Sequence, residues 1–348
     1  MKKIRKSLLL FLIIIISVFL GACELDTIIS EENYNEKLVV HFIDVGQGDS
    51  TLIEFPNGEI SLIDAGTRNN GEKVVKYLKE QGVKKIDYLI ATHPHEDHIG
   101  GLPKIVKTFE IGKVYMPNRT ANTRIFEELL KEMQAKDLKI NIAKGGNAIL
   151  DEGNLKYTIL APNRDNYENT NNYSIVTKVE YKNNSIIITG DAERESELDI
   201  INGNYNLNAN ILRIGHHGSD TSSIDEFIDI VNPEYYVISV GRDNTYGHPH
   251  KEVISRLEKT EGKILRTDEL GDIVFISNGD EIIPVDKNNK IRANKDYFIG
   301  NKNTKVVHTK NCSHLPKEEN QIKFSSLEEA IKNGYKPHEK CIKQEGVK

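Results

Sequence analysis

The sequence predicts an α/β protein in which two mixed sheets lie face to face with helices outside them, an αββα sandwich, followed by a small C-terminal α+β module. Short β-rich runs occur in adjacent blocks, and amphipathic helices separate the blocks, unlike the strict alternation of a fully parallel sheet. The 348 residues allow about two domains. With 38% hydrophobic and 28% charged residues, the composition excludes collagen-like, disordered and multi-span membrane classes.

Turn residues mark the first strands. Residues 38–45, 50–55 and 60–65 are β-rich, and Pro56-Asn57-Gly58 is a strong hairpin signal. Residues 88–92 form a buried strand that runs directly into His93. Further strands are predicted at residues 113–116, 139–143, 155–161, 174–181, 185–189, 210–214, 235–240, 263–266 and 272–277.

The helices are predicted from apolar spacing. Val74, Val75 and Leu78 recur at helical intervals in residues 72–81, and Gly82 ends the pattern. The same reasoning predicts helices at residues 102–109, 124–136, 193–201, 224–231 and 251–258.

The N-terminal residues predict that the protein is exported from the cytoplasm. A basic start, Lys2 to Lys6, precedes an apolar run of about a dozen residues, shorter than the roughly 20 that span a bilayer. Leu20-Gly21-Ala22-Cys23 resembles the bacterial lipoprotein box, which implies a signal at residues 1–22, lipidation of Cys23 and an acidic tether at residues 23–37. We therefore expect anchoring on the extracytoplasmic face of the bacterial cell membrane. An uncleaved signal anchor is the alternative.

Charge is distributed unevenly along the chain. The formal net charge of −6 combines +4 in the signal, −14 in residues 23–296 and +4 in residues 297–348. Sequence-independent affinity for DNA comes mainly from lysine and arginine. The acidic body is therefore an unfavourable surface for a polyanion, whereas the tail is a favourable one.

The strongest chemical signal is His93-Pro94-His95-Glu96-Asp97-His98, which follows a buried strand and precedes a helix. Three imidazoles and a carboxylate within six residues are more than one ion takes from so short a segment, which indicates a dinuclear metal site. The plain alternative is a solvated loop that happens to be rich in histidine.

This H-x-H-x-D-H pattern, with Asp64 after a strand and Thr189-Gly190-Asp191 downstream, resembles the metallo-β-lactamase superfamily. The stretch Asp44-Val45-Gly46-Gln47-Gly48-Asp49-Ser50, together with His216-His217-Gly218-Ser219 and Gly247-His248-Pro249, resembles the metallohydrolase domain of the ComEC competence family. The resemblance implies a metallo-β-lactamase sandwich at residues 38–286.

The resemblance also implies roles for the matched residues. His93 and His95 would bind the first ion, Asp97 and His98 the second, Asp191 would bridge both, and His248 would complete the second site. The superfamily usually supplies a further histidine where this chain has Asn171-Asn172-Tyr173-Ser174. His217 would either fill that gap or act on the substrate, so Asp97 and His217 are the catalytic candidates.

Other polar residues would orient the ligands or contact substrate: Asp64, Gln47, Asp49, Asn172, Ser174 and His216. Asp64 is expected to hydrogen-bond the metal loop. Gln47 and Asp49 are either functional or turn formers. Because adjacent strand residues point to opposite faces, one of His216 and His217 is expected to be structural.

Two divalent ions would lower the pKa of water and polarise a phosphoryl or carbonyl oxygen. Zinc suits the histidine-rich set, and Mn²⁺ also accepts carboxylate and imidazole ligands.

The tail carries a second constellation. His308-x₃-Cys312 and Gly334-Tyr335-Lys336-Pro337-His338-x₂-Cys341 resemble the Ada-type metal-binding module, predicted at residues 297–344. The resemblance implies a closed structural zinc site at His308, Cys312, His338 and Cys341. A disulfide between the two cysteines, or a fold without metal, is the alternative.

Three functions remain open at this stage. The first is a surface-anchored phosphodiesterase or nuclease related to competence DNA processing, which would need separate DNA-uptake machinery. The second is a hydrolase of envelope phosphodiesters, similar to a teichoic acid phosphocholine esterase, or of small esters. The third is a non-catalytic, lipid-anchored binding module. Substrate and oligomeric state are not determined by the sequence.

Overall fold

The computed structural model describes residues 36–285, 298–309, 312, 314–324, 327–338 and 340–342. The predicted signal, Cys23 and the expected domain boundary at residues 287–294 lie outside the described residues. The strands of the two large sheets are β1 (Leu38–Phe42), β2 (Thr51–Glu54), β3 (Ile60–Ile63), β4 (Lys85–Ile90), β5 (Glu110–Met116), β6 (Ile140–Ile142), β7 (Ala148–Glu152), β8 (Leu155–Ala161), β9 (Val176–Tyr181), β10 (Asn184–Ile188), β11 (Ile211–Arg213), β12 (Tyr235–Ile238), β13 (Lys263–Arg266), β14 (Ile273–Ser277) and β15 (Ile282–Val285).

The helices of the same region are α1 (Gly71–Glu80), α2 (Glu96–Ile99), α3 (Leu102–Thr108), α4 (Arg124–Ala135), α5 (Arg194–Asn202), α6 (Asp225–Val231), α7 (Lys251–Leu257) and α8 (Thr267–Leu270). Each predicted strand and helix is present, with ends displaced by a few residues. The structure adds β7 and β15, which are short strands at sheet edges, and the four-residue helices α2 and α8. Segments this short carry too few residues for a periodic pattern.

The two large sheets have matching designs. One has the order β15-β14-β1-β2-β3-β4-β5-β6, and the other has the order β13-β12-β11-β10-β9-β8-β7. In each sheet an antiparallel meander continues into parallel strands: β3 to β6 in the first, and β10 to β13 in the second. The carboxyl ends of parallel strands share one edge of a sheet, where loops can bring polar side chains together.

Apolar side chains fill three layers. Phe42, Phe55, Tyr157 and Phe275 belong to the cluster formed by side chains from both sheets. Leu78 and Leu129, from α1 and α4, pack in a second cluster on the first sheet. Phe227 and Leu257, from α6 and α7, pack in a third cluster on the second sheet. Helices therefore cover the outer face of each sheet, and the αββα prediction is confirmed.

The C-terminal module has its own sheet and a small core. Its strands are β16 (Phe298–Asn301), β17 (Val306–Thr309), β18 (Gln321–Phe324) and β19 (Lys336–Pro337), in the order β18-β16-β17-β19, with one helix, α9 (Leu327–Lys332). Its core cluster contains five buried residues: Val307, Phe324, Ala330, Tyr335 and Ile342. The predicted α+β character is present.

None of the helices in the described part of the chain has the length and apolar character needed to span a bilayer.

Candidate metal centre

Four donors converge at the carboxyl-terminal edge of the two sheets. Asp97, His98, Asp191 and His217 each place one ligand atom within 4.8 Å of the others, and we call this set the sheet-edge cluster. His98 Nε2 lies 3.1 Å from Asp191 Oδ2, and His217 Nε2 lies 3.3 Å from Asp97 Oδ2 and 3.6 Å from Asp191 Oδ1. Donors bound to one ion at about 2.1 Å lie about 3.0 to 4.2 Å apart, so these separations suit a shared ion.

Asp64 holds His98 in the orientation that a ligand needs. Its carboxylate is fully buried at the end of β3, accepts the Thr92 N–H at 2.9 Å and the Thr92 hydroxyl at 2.6 Å, and lies 2.8 Å from His98 Nδ1. Because Nδ1–H donates to Asp64, Nε2 presents its lone pair to Asp97 and Asp191. This is the carboxylate–histidine–metal arrangement.

His217 is held in a comparable way by the backbone. Its Nδ1 lies 2.9 Å from the carbonyl oxygen of Ser239, directly after β12, so that Nε2 faces the carboxylates. The expectation that one of His216 and His217 points away is wrong. Both residues have left-handed backbone angles (φ 49° and 55°) in the short 3₁₀ helix Gly215–Gly218, so strand alternation does not apply, and both rings face Asp191.

A second group of donors lies beside Asp191 Oδ2, the oxygen that His98 Nε2 also faces. His93 Nε2 is 3.0 Å from His95 Nδ1 and 3.8 Å from Asp191 Oδ2. On its far side, His93 Nδ1 lies 3.2 Å from the hydroxyls of Ser174 and Thr92. Ser174 also accepts the Asp191 N–H, and thus ties a histidine and the shared carboxylate together.

His216 borders this second group and has a partner that sequence reasoning missed. Its Nε2 lies 3.7 Å from Asp191 Oδ2, and its Nδ1 lies 3.2 Å from Glu193 Oε1. Glu193 also accepts hydrogen bonds from Asn171 and Thr221. Burial opposes ionisation of Glu193, but the contacts from His216, Asn171 and Thr221 together outweigh it and lower the pKa. The only available signal was the position of Glu193 two residues after Asp191.

Several of the other predicted residues have structural partners. Asp49 forms an ion pair with Arg213. Arg213 is fully buried and also donates a hydrogen bond to the carbonyl of Gly190. The sequence alone did not single out Arg213. Asn172 Oδ1 accepts the N–H groups of Glu193 and Ser196 at the start of α5. Gln47 Oε1 accepts the Gly241 N–H at 3.2 Å. These contacts hold the loops that carry the donors.

His248 lies beside the sheet-edge cluster. Its ring is stacked on that of His217 with the centroids 6.3 Å apart, and its Nδ1 is buried without a hydrogen-bond partner. It is not one of the four converging donors. A ligand role for His248 stays a prediction.

The residues present fit metal ions. His98 Nε2, His217 Nε2 and Asp191 Oδ1 are buried polar atoms without a hydrogen-bond partner, and all three face the cluster. Burial lowers the pKa of His98, but the carboxylates of Asp191, Asp97 and Asp64 outweigh it and raise that pKa. Burial raises the pKa of Asp191, but His98 and His217 outweigh it and lower that pKa. A cation is therefore favoured between these side chains.

A third set of atoms satisfies the same spacing: Asp49, Asp64 and His98. Their hydrogen bonds argue against a separate ion, because Asp64 already binds Thr92 and His98 and Asp49 pairs with Arg213.

The C-terminal module gathers the four donors predicted for it, and we call His308, Cys312, His338 and Cys341 the module cluster. Cys312 Sγ lies 3.4 Å from His308 Nδ1 and 3.6 Å from His338 Nδ1, and Cys341 Sγ lies 3.3 Å from His338 Nδ1. Both cysteines are free thiols, so the disulfide alternative is not what the structure shows. Two sulfur and two nitrogen donors make a closed tetrahedral set for zinc.

Comparison with known proteins agrees with this architecture. Residues 43–242 match the metallo-beta-lactamase superfamily, and residues 285–343 match the metal binding domain of Ada. ComE operon protein 3 of Bacillus subtilis (strain 168) is 32% identical over 253 residues, which cover 68% of this chain and 32% of that protein. Competence protein ComA of Neisseria gonorrhoeae is 31% identical over 237 residues, which cover 67% of this chain and 31% of that protein. The chain spans about a third of the length of these relatives.

The chain is also similar in part to a solved structure. The metallo-beta-lactamase fold protein YhfI from Bacillus subtilis covers 69% of this chain and 100% of its own, with a TM-score of 0.47 and 14% sequence identity. The family match over residues 43–242 confirms the resemblance drawn from the H-x-H-x-D-H motif. The chain belongs to the metallo-beta-lactamase superfamily and is a metal-dependent hydrolase related to the competence proteins.

Proposed function

We propose that the chain is a dinuclear metal phosphodiesterase that cleaves nucleic acid at the cell surface, in a step related to competence DNA processing. The observation that carries the proposal is the shared carboxylate of Asp191. Its Oδ1 faces His217, and its Oδ2 faces His93, His98 and His216. A buried carboxylate that histidine donors from two groups face is the kind of ligand that two neighbouring ions can share. The competence relatives support nucleic acid as the substrate.

Two donor sets would hold the ions. His93, His95 and Asp191 would take the first ion, and Asp97, His98, Asp191 and His217 would take the second. Zinc fits the imidazole-rich sets, and Mn²⁺ is the alternative. A pair of such ions supplies an activated water and polarises the phosphoryl oxygen.

The protein's own groups orient this chemistry. Asp64 and Ser239 fix the ring nitrogens of His98 and His217, and Ser174 and Thr92 fix His93. Loss of any one of these partners would let a ligand ring rotate and would weaken ion binding. At the rim, Glu193 holds the His216 ring with Nε2 toward Asp191, where it can contact a substrate oxygen.

Envelope phosphodiesters are the second candidate. The −14 net charge of residues 23–296 disfavours extended contact with any polyanion and favours a small ester, such as a phosphocholine group carried on an envelope polymer, that reaches the site alone. Anchoring through Cys23 would place the enzyme next to such polymers and also next to DNA-uptake machinery, so location alone does not separate the two substrates.

The test is a substrate panel with the purified chain loaded with Zn²⁺ or Mn²⁺. Bis-p-nitrophenyl phosphate, single-stranded DNA, double-stranded DNA and teichoic acid are compared, and we expect cleavage of the diester and of DNA. Asp191→Asn should lower the rate by more than about a hundredfold, because loss of a ligand's partner alone costs up to that factor. Asp137→Asn, at an exposed position with left-handed backbone, is the matched control.

Two results would contradict the proposal. A fully metallated chain that cleaves none of the diesters is not a phosphodiesterase. Cleavage of teichoic acid without cleavage of DNA would select the envelope substrate instead.

A further inference from the structure

The loop at residues 241–250, which we call the 241–250 loop, is fastened to the metal centre at both ends. Gly241 N–H donates to Gln47 Oε1 at its start, and His250 N–H donates to the carbonyl of Gly218 at 2.9 Å at its end. Pro249 lies so close to Gly218 that a Cβ on Gly218 would come within 2.6 Å of the Pro249 Cβ. The loop therefore packs directly on the residue that follows His217.

Asn244 closes the loop from inside. Its Nδ2 donates to the carbonyls of Gly241 and His248, and its Oδ1 accepts the His248 N–H at 3.0 Å. His250 Nδ1 accepts the Asp220 N–H at 3.1 Å, and its Nε2 lies 3.4 Å from the carbonyl of Tyr246. The backbone around Tyr246 is thus positioned by side chains on both sides of it.

This loop holds an aromatic ring out in solvent. Tyr246 is 66% exposed, the largest fraction among the large apolar side chains of the described residues. Its ring stacks on His248 with a centroid distance of 5.7 Å and an interplanar angle of 22°. His248 in turn stacks on His217 at 6.3 Å and 29°. Three nearly parallel rings therefore lead from solvent to the sheet-edge cluster.

The geometry selects the kind of ligand. His248 lies beside Tyr246 at a small angle between the ring planes, and two thirds of the Tyr246 side chain stays exposed, so aromatic surface remains available to a flat ligand. A nucleobase presents a matching π-face, and stacking of this kind tolerates any base. A quaternary ammonium is better held by several aromatic faces around the cation, and parallel stacked rings do not form such a cage.

We propose that Tyr246 is a stacking platform for a nucleobase of single-stranded nucleic acid, next to the phosphodiester bound at the metal centre. This inference rests on the proposed function and deepens it, because it names unpaired bases as the feature of the substrate that the surface around Tyr246 selects. A base in a duplex is stacked on both sides and cannot offer its face, so single strands should be preferred over duplexes.

The test uses binding and turnover with two variants of the same residue. A phosphorothioate oligothymidylate with one 2-aminopurine, which is cleaved slowly, is titrated into the metal-loaded full chain. Stacking quenches 2-aminopurine, so we expect quenching by the wild type and by Tyr246→Phe. Tyr246→Ala should lose the quenching and weaken binding by about tenfold, in line with the loss of one stacked base.

Turnover separates positioning from chemistry. On oligothymidylate, Tyr246→Ala should raise KM by about tenfold and leave kcat nearly unchanged, since the ring touches a base and not the reacting atoms. On an oligonucleotide of abasic residues, wild type and Tyr246→Ala should be equal.

The failures are distinguishable. In one failure, the wild type cleaves oligonucleotides, and Tyr246→Ala quenches 2-aminopurine and cleaves as well as the wild type does. This result would contradict the stacking role of Tyr246 and would leave the proposed nuclease activity intact. A wild type that cleaves no oligonucleotide overturns both. If Tyr246→Ala raised KM equally on abasic and on normal oligonucleotides, the effect would be structural, and the stacking role of Tyr246 would be contradicted as well.

Discussion

The two donor clusters of this chain are positioned in opposite ways. In the sheet-edge cluster, His98 is held by Asp64 and His217 by the Ser239 carbonyl, and the strands that bear them belong to cores of buried apolar side chains. In the module cluster, the side chains of His308, Cys312, His338 and Cys341 contact one another. In the sheet-edge cluster, the surrounding protein positions the donors. In the module cluster, a bound ion would hold the donors together and so stabilise the fold of the module.

This difference follows from size. A module of about 50 residues buries too little apolar surface to be stable alone and usually needs a metal or disulfide. Its five-residue core and two free thiols fit that description. The two large sheets need no such support, and their donors are free to serve chemistry.

Metal removal should give the largest effect and should act on the two clusters differently. After chelation we expect the module to lose its structure and become sensitive to protease, because folding and metal binding are one process in small metal modules. The sandwich should keep its thermal transition while losing all hydrolase activity. Limited proteolysis with mass spectrometry, calorimetry and activity are the measurements.

Cys312→Ser is the matched variant for that experiment. It should lower the bound zinc by one equivalent and expose the module to protease, while hydrolysis of bis-p-nitrophenyl phosphate stays within about twofold of the wild type. A module that resists protease equally with and without metal would show that both clusters are held by the protein.

An intermediate effect is expected from Asp64→Asn. The backbone of Asp64 is left-handed (φ 56°), which asparagine tolerates, so the fold should persist. The amide loses the charged acceptor that orients His98, and such partners contribute about 10- to 100-fold to metal affinity. A chelator competition assay measures the loss.

Asp272→Asn is the control for that variant. Asp272 also accepts a backbone N–H, that of Asp44 at 2.8 Å, and within the described residues it does not belong to the groups that orient the sheet-edge cluster. Equal metal affinity in Asp64→Asn and the wild type would mean that the protein does not position His98 through this carboxylate.

The last effect is on folding stability and not on metal binding, and it concerns Glu197, a second buried carboxylate, which fastens a loop near the cluster. It accepts the N–H groups of Ser223 and Ile224 at 2.6 and 3.0 Å. Burial raises its pKa from 4.5 to about 7. The folded state therefore holds a proton that the unfolded state has lost, and stability from this group falls as pH rises from about 4.5 to about 7, by on the order of 3 kcal/mol.

Glu197→Gln removes that titration and keeps one oxygen acceptor. Urea unfolding at pH 5 and pH 8 should show wild type losing stability relative to the variant as pH rises. Glu195→Gln, on the exposed side of α5, is the control. A difference between wild type and Glu197→Gln that does not change with pH would show that Glu197 is ionised throughout and is held as Asp191 is.

Sequence reasoning could find the donors whose spacing is local. His93, His95, Asp97 and His98 lie within six residues, and the four module donors form two short pairs. Their placement at a strand end followed from apolar runs, which also predict the αββα order. The chemistry of these segments is visible because it does not depend on distant contacts.

Other features depend on contacts between distant segments. Glu193 with His216, and Asp49 with Arg213, join residues that are 23 and 164 positions apart. The left-handed backbone of His216 and His217 reverses the expectation from strand alternation, and nothing in a histidine pair signals it. The contacts between the rings of Tyr246, His248 and His217 likewise join distant segments, and Gly218 leaves room there for Pro249.

The buried guanidinium of Arg213 has a consequence for how many ions the chain can take. By distance alone three donor sets exist, since Asp49 and Asp64 with His98 also satisfy the spacing. Arg213 neutralises Asp49 and removes it from competition. Without that positive charge, the carboxylate of Asp49 would be an uncompensated acceptor 3.7 Å from His98 Nδ1, the nitrogen that Asp64 orients. An uncharged residue at position 213 would therefore destabilise the fold, because Asp49 would stay buried without its partner, and would also disturb the orientation of a metal ligand.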